Sequence, residues 1–274
     1  MATMTPNSKL RRAAVCLGLL LLCAPSSPVH PASRAQAAPY PTEGIHQIHL
    51  PLMLRNVMCQ ASPAQDYVIL SADPPGPTMA VEIHPDYNLA VRGYDPTVAY
   101  QGLIEYGGSY DPLAPQLAGL FERPRLPGFV GTYQVYDWDW EKMQRGPLMT
   151  HPPVSALGLE TTAGELLHVP DSGYAIGSGC EVLVIYATTD RITLKYTRED
   201  NVISGYTLHI DHICVDPALL TAYHACEDAG RAFLPALRPH QPFGRASGAE
   251  TIIAIVDTGT FLDARSHLDW WRDY

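Results

Sequence analysis

The segments EVLVIYA (181–187) and RITLKYT (191–197) decide the fold class of this chain. The first is a continuous apolar run that is rich in β-branched residues, which is typical of a buried strand. The second alternates in polarity, so Ile192, Leu194 and Tyr196 would share one face of a sheet. Both segments therefore predict β-strands.

Segments of the same character lie on both sides of this pair. ELLHVP (165–170) and TIIAIVD (251–257) predict further strands, and SGYTLHI (204–210) would place His209 on the face opposite its apolar residues. Apolar residues at helical spacing predict one short helix near 217–229. Short strands separated by turn signals predict a mostly β chain, an antiparallel sandwich or barrel-like hybrid.

The first 37 residues have the layout of a secretory signal peptide. Basic residues precede a short apolar run at 13–24, and the small residues Ala35 and Ala37 follow it. An apolar run of this length is too short to span a membrane, which takes about 20 residues. The pattern predicts cleavage after Ala37, no membrane span, and a secreted protein of the extracellular space or the cell envelope.

Composition divides the remainder of the chain into three parts. Residues 38–64 contain several prolines and predict a linker, whereas residues 65–150 are irregular, turn-rich and β-containing. Residues 151–274 carry most of the regular strand pattern and predict the main β domain. We expect residues 65–150 to wrap or extend that domain rather than to fold apart from it.

The charge balance restricts the partners of the chain. With 18 Lys+Arg against 28 Asp+Glu, the formal net charge is −10, and loss of the signal peptide would make the chain more acidic still. A nucleic-acid-binding protein needs a basic face for the phosphates. The balance therefore argues against nucleic acid as a partner.

Four cysteines would remain after cleavage, namely Cys59, Cys180, Cys214 and Cys226. Exported proteins reach an oxidising compartment, so four cysteines predict two disulfides with three possible pairings. In one pairing, Cys214–Cys226 closes a short loop while Cys59–Cys180 ties the N-terminal region to the core. Zinc is the alternative partner of these cysteines, although the chain has no C-x-x-C pair.

Three motifs of the C-terminal half follow one another in a recognisable order. GLE (158–160) leads into GELLHVPDSG (164–173), LPALRPHQPFG (234–244) comes later, and IIAIVDTG (252–259) follows it. Over about 155–264 this order resembles the lysostaphin-type M23 metallopeptidase domain. The resemblance implies the sandwich-like β fold of that family, the duplicated hybrid motif.

The zinc ligands of the M23 family are only partly matched. In the family a His, an Asp and the first His of an H-x-H strand hold zinc. Glu160 takes the Asp position, the strand at 251–254 has no histidine, and His224 is an offset candidate for the catalytic histidine. The resemblance therefore implies that the ancestral site is gone and that no cofactor is bound. Such members look like non-catalytic scaffolds that bind cell-wall material or position a partner.

Acidic and indole side chains alternate in DWDWE (137–141). On a strand, Asp137 and Asp139 would share one face while Trp138 and Trp140 share the other. The tryptophans are candidates for stacking on sugar rings, and paired carboxylates are the groups that glycosidases use. The alternative is that the tryptophans cover the sheet while the acids face water.

These observations lead to one expected function and two alternatives. We expect a secreted, non-catalytic M23-like protein that binds cell-envelope glycan or peptidoglycan, or acts as a structural scaffold. One alternative is a zinc-dependent peptidoglycan hydrolase rebuilt around Glu160, His209 and His224, with zinc on the first two and the histidines in catalysis. The other is a carboxylate-based glycosidase that uses Asp137, Asp139 or Glu141. The simplest interpretation of the group formed by His209, Asp211 and His212 is that one histidine packs against the core with a hydrogen bond and the other is exposed.

Overall fold

A computed structural model describes Cys59, Ser62, Pro63 and residues 65–274. The predicted signal peptide, 1–37, lies outside the described residues, as does nearly all of the predicted linker. Strands make up most of the regular structure. In chain order they are β1 Val68–Ser71, β2 Tyr94–Pro96, β3 Phe129–Asp139, β4 Gln144–Leu148, β5 Ala156–Glu160, β6 Leu166–His168, β7 Val182–Ala187, β8 Arg191–Lys195, β9 Tyr206–Asp211, β10 Ile213–Val215, β11 Phe233–Leu237, β12 Pro242–Ala246, β13 Glu250–Asp257 and β14 Thr260–Leu262.

Helices are few and mostly short. The longest confirms the helix that was predicted near 217–229, and it begins where the Asp216 carboxylate accepts hydrogen bonds from the backbone N–H groups of Ala218 and Leu219, as an N-cap residue does. No helix of residues 65–274 is long and apolar enough to cross a membrane. The helices are α1 Leu89–Arg92, α2 Pro217–Asp228 and α3 His267–Trp270, with 3-10 turns at Val81–Ile83 and Leu117–Leu120.

Two antiparallel sheets organise the described residues, which confirms the predicted mostly β, antiparallel class. The larger sheet runs from edge to edge in the order β1-β11-β7-β8-β9-β13-β5-β3-β2, with β14 paired to β13 and β4 paired to β3. The smaller sheet has the order β10-β12-β6. Because β1 pairs with β11 and β3 pairs with β5, residues 65–150 and residues 151–274 contribute strands to one sheet.

The register of β8 and β9 sorts their side chains onto two different faces. Leu194 lies opposite Leu208, and Thr193 lies opposite His209. Leu194 and Leu208 belong to the main hydrophobic core. The opposite face carries polar side chains, and residues of the N-terminal half cover it: Thr193 Oγ1 donates a hydrogen bond of 2.7 Å to the carbonyl of Tyr87.

Strand β5 was not among the predicted strands, although it lies between β13 and β3. Its sequence, ALGLE, does not alternate because Ala156 to Leu159 are buried on both faces. A Cβ atom at Gly158 would lie 1.9 Å from Glu250 Oε1 on the neighbouring strand, so a larger residue there would require the Glu250 side chain to move. In the sequence, a glycine at this position weakens the signal for a strand.

The disulfide of the described residues joins Cys59 to Cys214. This confirms a disulfide, but the expected second disulfide and the pairing of Cys214–Cys226 with Cys59–Cys180 are wrong, because Cys180 and Cys226 are both buried and free. Cys214 lies on β10 of the smaller sheet, whereas Cys226 packs inward from α2 with the core. Each free thiol thus serves as a small apolar side chain.

We predict that Cys214→Ser lowers the free energy of unfolding by about 2–5 kcal/mol, because the disulfide closes a long loop in the unfolded chain. The two cysteines are 155 residues apart in sequence. Urea unfolding with and without reductant measures the effect: reductant should lower the midpoint of the native protein and leave that of Cys214→Ser unchanged. Equal midpoints for the native protein in both conditions would contradict the prediction.

Candidate functional site

His209 lies inside the sheet and is only 2% exposed. Its Nδ1 atom is 3.1 Å from Thr193 Oγ1. Since Thr193 Oγ1 donates its one proton to the Tyr87 carbonyl, His209 Nδ1 is the donor in that contact. The imidazole stacks on Phe261, with 6.3 Å between ring centroids. Burial, helped by the Arg92 guanidinium, lowers the pKa of His209 to about 3. These are the contacts of a neutral histidine packed in the core.

The structure does not bring Glu160 and His224 to His209. Glu160 lies opposite Glu250 on β13, whereas His209 lies opposite Ala254 on the other side of that strand. Four residues along β13 and two strand spacings separate the two Cα atoms by roughly 16 Å. His224 is exposed on α2, which packs against β7 and β11 rather than β9. A zinc site needs its ligands within bonding distance, so these three side chains do not form one.

Trp138 and Trp140 lie together at the hairpin formed by β3 and β4. Strand β3 ends at Asp139, so Trp140 lies in the turn. The two tryptophans therefore do not share one face of a strand, although the sequence pattern predicted that they would. Their rings meet edge to face with 6.4 Å between centroids, and His84 contacts Trp140 in the same way at 5.6 Å. Trp140 remains 48% exposed. The hairpin therefore presents one indole to solvent and supports it with two other rings.

The carboxylates beside these indoles hold the local structure. Asp139 Oδ1 accepts hydrogen bonds from the backbone N–H groups of Glu141 and Lys142. Its Oδ2 atom forms an ion pair of 2.6 Å with Lys142 Nζ. The Lys142 ammonium therefore keeps the pKa of Asp139 below its usual range. A glycosidase acid needs a raised pKa instead. Asp137 Oδ1 accepts a hydrogen bond from the N–H of Trp138 and lies 3.7 Å from Arg92 Nη1, and the side chain is 64% exposed.

A histidine and a carboxylate that did not stand out in the sequence meet at another cleft. His240 Nε2 lies 2.5 Å from Asp171 Oδ2, and both residues line a cleft of about 230 Å³ beside Trp271. Burial raises the pKa of Asp171, against the opposing effect of His240. The pair forms because β12 runs antiparallel to β6 and places the residues at the strand ends side by side. No spacing in the sequence indicates that pairing.

The Asp171–His240 pair orients an imidazole, as in a general base, but no serine, threonine or cysteine of residues 65–274 lines its cleft as a nucleophile. The nearest hydroxyl in sequence is Ser172, whose Oγ donates its proton to Glu181 Oε2 at 3.1 Å. Ser172 Oγ also accepts a hydrogen bond from the N–H of Tyr174. A serine hydrolase would need that proton to pass to the imidazole. The arrangement therefore fixes His240 in place without completing a catalytic triad.

No protein-family model matches the chain, and neither a search of curated proteins nor a search of solved structures finds a match. The resemblance to the M23 domain therefore rests on the sequence motifs. Because one fold can carry many functions, the function of a protein depends on the geometry of particular residues.

We predict that His209 stays neutral in the folded protein well below pH 6. Its pKa of about 3 lies below the value of about 6.5 expected for the unfolded chain. The unfolded chain therefore binds a proton first, and stability is lost as the pH falls from about 6.5 toward 3, by up to about 1.4 kcal/mol per pH unit. The imidazole Cε1–H resonance should not move between pH 8 and pH 4.5.

His209→Gln identifies that resonance by its absence, and this variant should lose less stability on acidification than the native protein. A His209 resonance that titrates near pH 6 would show that the ring is open to solvent and would contradict the buried arrangement.

Proposed function

We propose that this chain is an exported, non-catalytic binding protein of the cell envelope, and that glycan or peptidoglycan is its ligand. The observation that carries the proposal is Trp140, a half-exposed indole in the turn of the β3–β4 hairpin. Trp138 and His84 support it edge-on. An aromatic face that remains in water can stack on the C–H face of a sugar ring.

The neighbouring groups complement the hydroxyls of a sugar. Asp137 precedes Trp138 in the sequence; its side chain is 64% exposed, and its Oδ1 atom lies 3.7 Å from Arg92 Nη1. Carboxylate oxygens accept hydrogen bonds from hydroxyl groups, and bonds to a charged acceptor are stronger than neutral ones. The β3–β4 hairpin therefore carries both an exposed ring and an exposed acceptor for a polar, ring-shaped ligand.

Export and the lack of catalysis have separate support. The Cys59–Cys214 disulfide is typical of proteins in an oxidising compartment, and it agrees with the signal-peptide pattern at 1–37. The separation of Glu160, His209 and His224 favours a scaffold over a zinc hydrolase rebuilt from those residues. The M23-like motifs, in a chain without the ligands of that family, favour a binding role on the cell wall.

We predict that Trp140→Ala lowers retention on insoluble peptidoglycan sacculi or on chitin by about ten-fold, because loss of one stacked ring and its burial removes about 1–1.5 kcal/mol. A pull-down with increasing amounts of each matrix gives the apparent affinity. Met143→Ala is the matched control, since Met143 lies in the same turn and is also 48% exposed. The control should remain within two-fold of the native protein.

Two outcomes would contradict the proposal. Native protein that is retained on neither matrix would remove the expected ligand class. Equal losses for Trp140→Ala and Met143→Ala would show that the hairpin matters through its shape and not through the indole.

A further inference from the structure

An apolar cleft of about 430 Å³ opens at the hairpin formed by β13 and β14 and the start of α3. This volume falls within the range of small-ligand sites in proteins, about 300–1,000 Å³. Most of its wall is made of rings and aliphatic side chains. They come from Tyr106, Pro152, Pro153, Phe261, Leu262 and Trp270.

The walls of the cleft are fixed by hydrogen bonds behind them. Trp270 Nε1 donates to the carbonyl of Asp263 at 2.9 Å, and the Tyr106 hydroxyl donates to Asp263 Oδ2 at 3.1 Å. Asp263 is held in turn by Arg265, whose Nη2 atom donates to the same oxygen at 2.7 Å. Side chains of Asp263 and Arg265 are 1% and 5% exposed. A ligand would therefore meet walls that are already in position, which reduces the entropy lost on binding.

The two carboxylates of the cleft differ in their charge balance. Arg265 neutralises Asp263 through a bidentate contact. Asp269 has a different partner: its Oδ2 atom accepts a hydrogen bond of 2.5 Å from Ser266 Oγ, a neutral group. In residues 65–274, no lysine or arginine forms an ion pair with Asp269. The nearby His151 ring contacts Thr150 Oγ1 at 3.1 Å.

We propose that this cleft binds a small ligand that combines an apolar body with one ammonium group, which pairs with Asp269. The apolar body removes the ring and proline surfaces from water. The ammonium group would pair with the Asp269 carboxylate, whose side-chain partner in the structure is the neutral Ser266 hydroxyl. The net charge of −10 attracts cations and repels anions over longer distances. This site is separate from the Trp140 surface and does not depend on the function proposed for it.

Three probes with the same phenyl body test the charge requirement on the unaltered protein. Isothermal titration at pH 7 would compare 2-phenylethylamine, 2-phenylethanol and 3-phenylpropionate. We expect the amine to bind roughly ten-fold more tightly than the alcohol or better, as a charged hydrogen bond allows, and the propionate to bind least. Equal affinities for the three probes, or no binding of the amine at millimolar concentration, would overturn the proposal.

Two variants locate the site. Asp269→Asn should lower the affinity for the amine roughly ten-fold and leave that for the alcohol unchanged. Asp273→Asn, which removes an exposed charge four residues further along, is the matched control and should leave both unchanged. Tyr106→Ala should weaken both probes, because it removes part of the wall. An amine affinity that Asp269→Asn does not alter would also overturn the proposal.

Discussion

A row of polar side chains buried between the large sheet and the N-terminal half is the constraint on which the rest of the structure depends. Thr193, Lys195 and His209 are each at most 2% exposed. Polar groups removed from water need hydrogen-bond partners. Thr193 reaches the Tyr87 carbonyl, and Lys195 Nζ reaches the carbonyl of Gly205 at 3.3 Å. Burial lowers the pKa of Lys195 to about 8. Of these three groups, Thr193 takes its partner from the covering segment, so that segment docks with the Tyr87 carbonyl against β8.

A buried ion pair fixes the same cover from the other side. Arg231 donates to both carboxylate oxygens of Asp200, at 2.9 and 2.8 Å, and to the carbonyl of Ile185 at 2.7 Å. Its guanidinium also lies 5.6 Å from the centroid of the Tyr87 ring. Breaking such a pair would leave an uncompensated charge in the interior, which costs far more than the pair contributes. Tyr87 is therefore held both through its ring and through its carbonyl.

Because this face of the sheet is covered, the side chains that remain accessible lie at the edges of the fold. His209 is shielded, so the polar residues of β8 and β9 serve the docking of the N-terminal half. The features that remain open to ligands lie in turns and at strand ends: the Trp140 hairpin, the cleft at Trp270 and the Asp171–His240 pair. Connecting segments tolerate special backbone geometry, as at His240 with its φ of 54°, and they are where binding residues commonly occur.

Local patterns in the sequence were sufficient to predict strands β7, β8, β9 and β13 and the helix α2, because apolar runs and the periodicity of apolar residues depend on near neighbours. The same periodicity predicted that Leu208 points to one face of the sheet and His209 to the other. It could not show that this face is covered, since the cover comes from Tyr87, more than a hundred residues away. Strand β5 was missed, and Cys59–Cys214 could not be singled out from the possible pairings, for a related reason: both depend on which segments lie side by side. Strand pairing and burial are properties of the whole chain, so only the tertiary structure decided them.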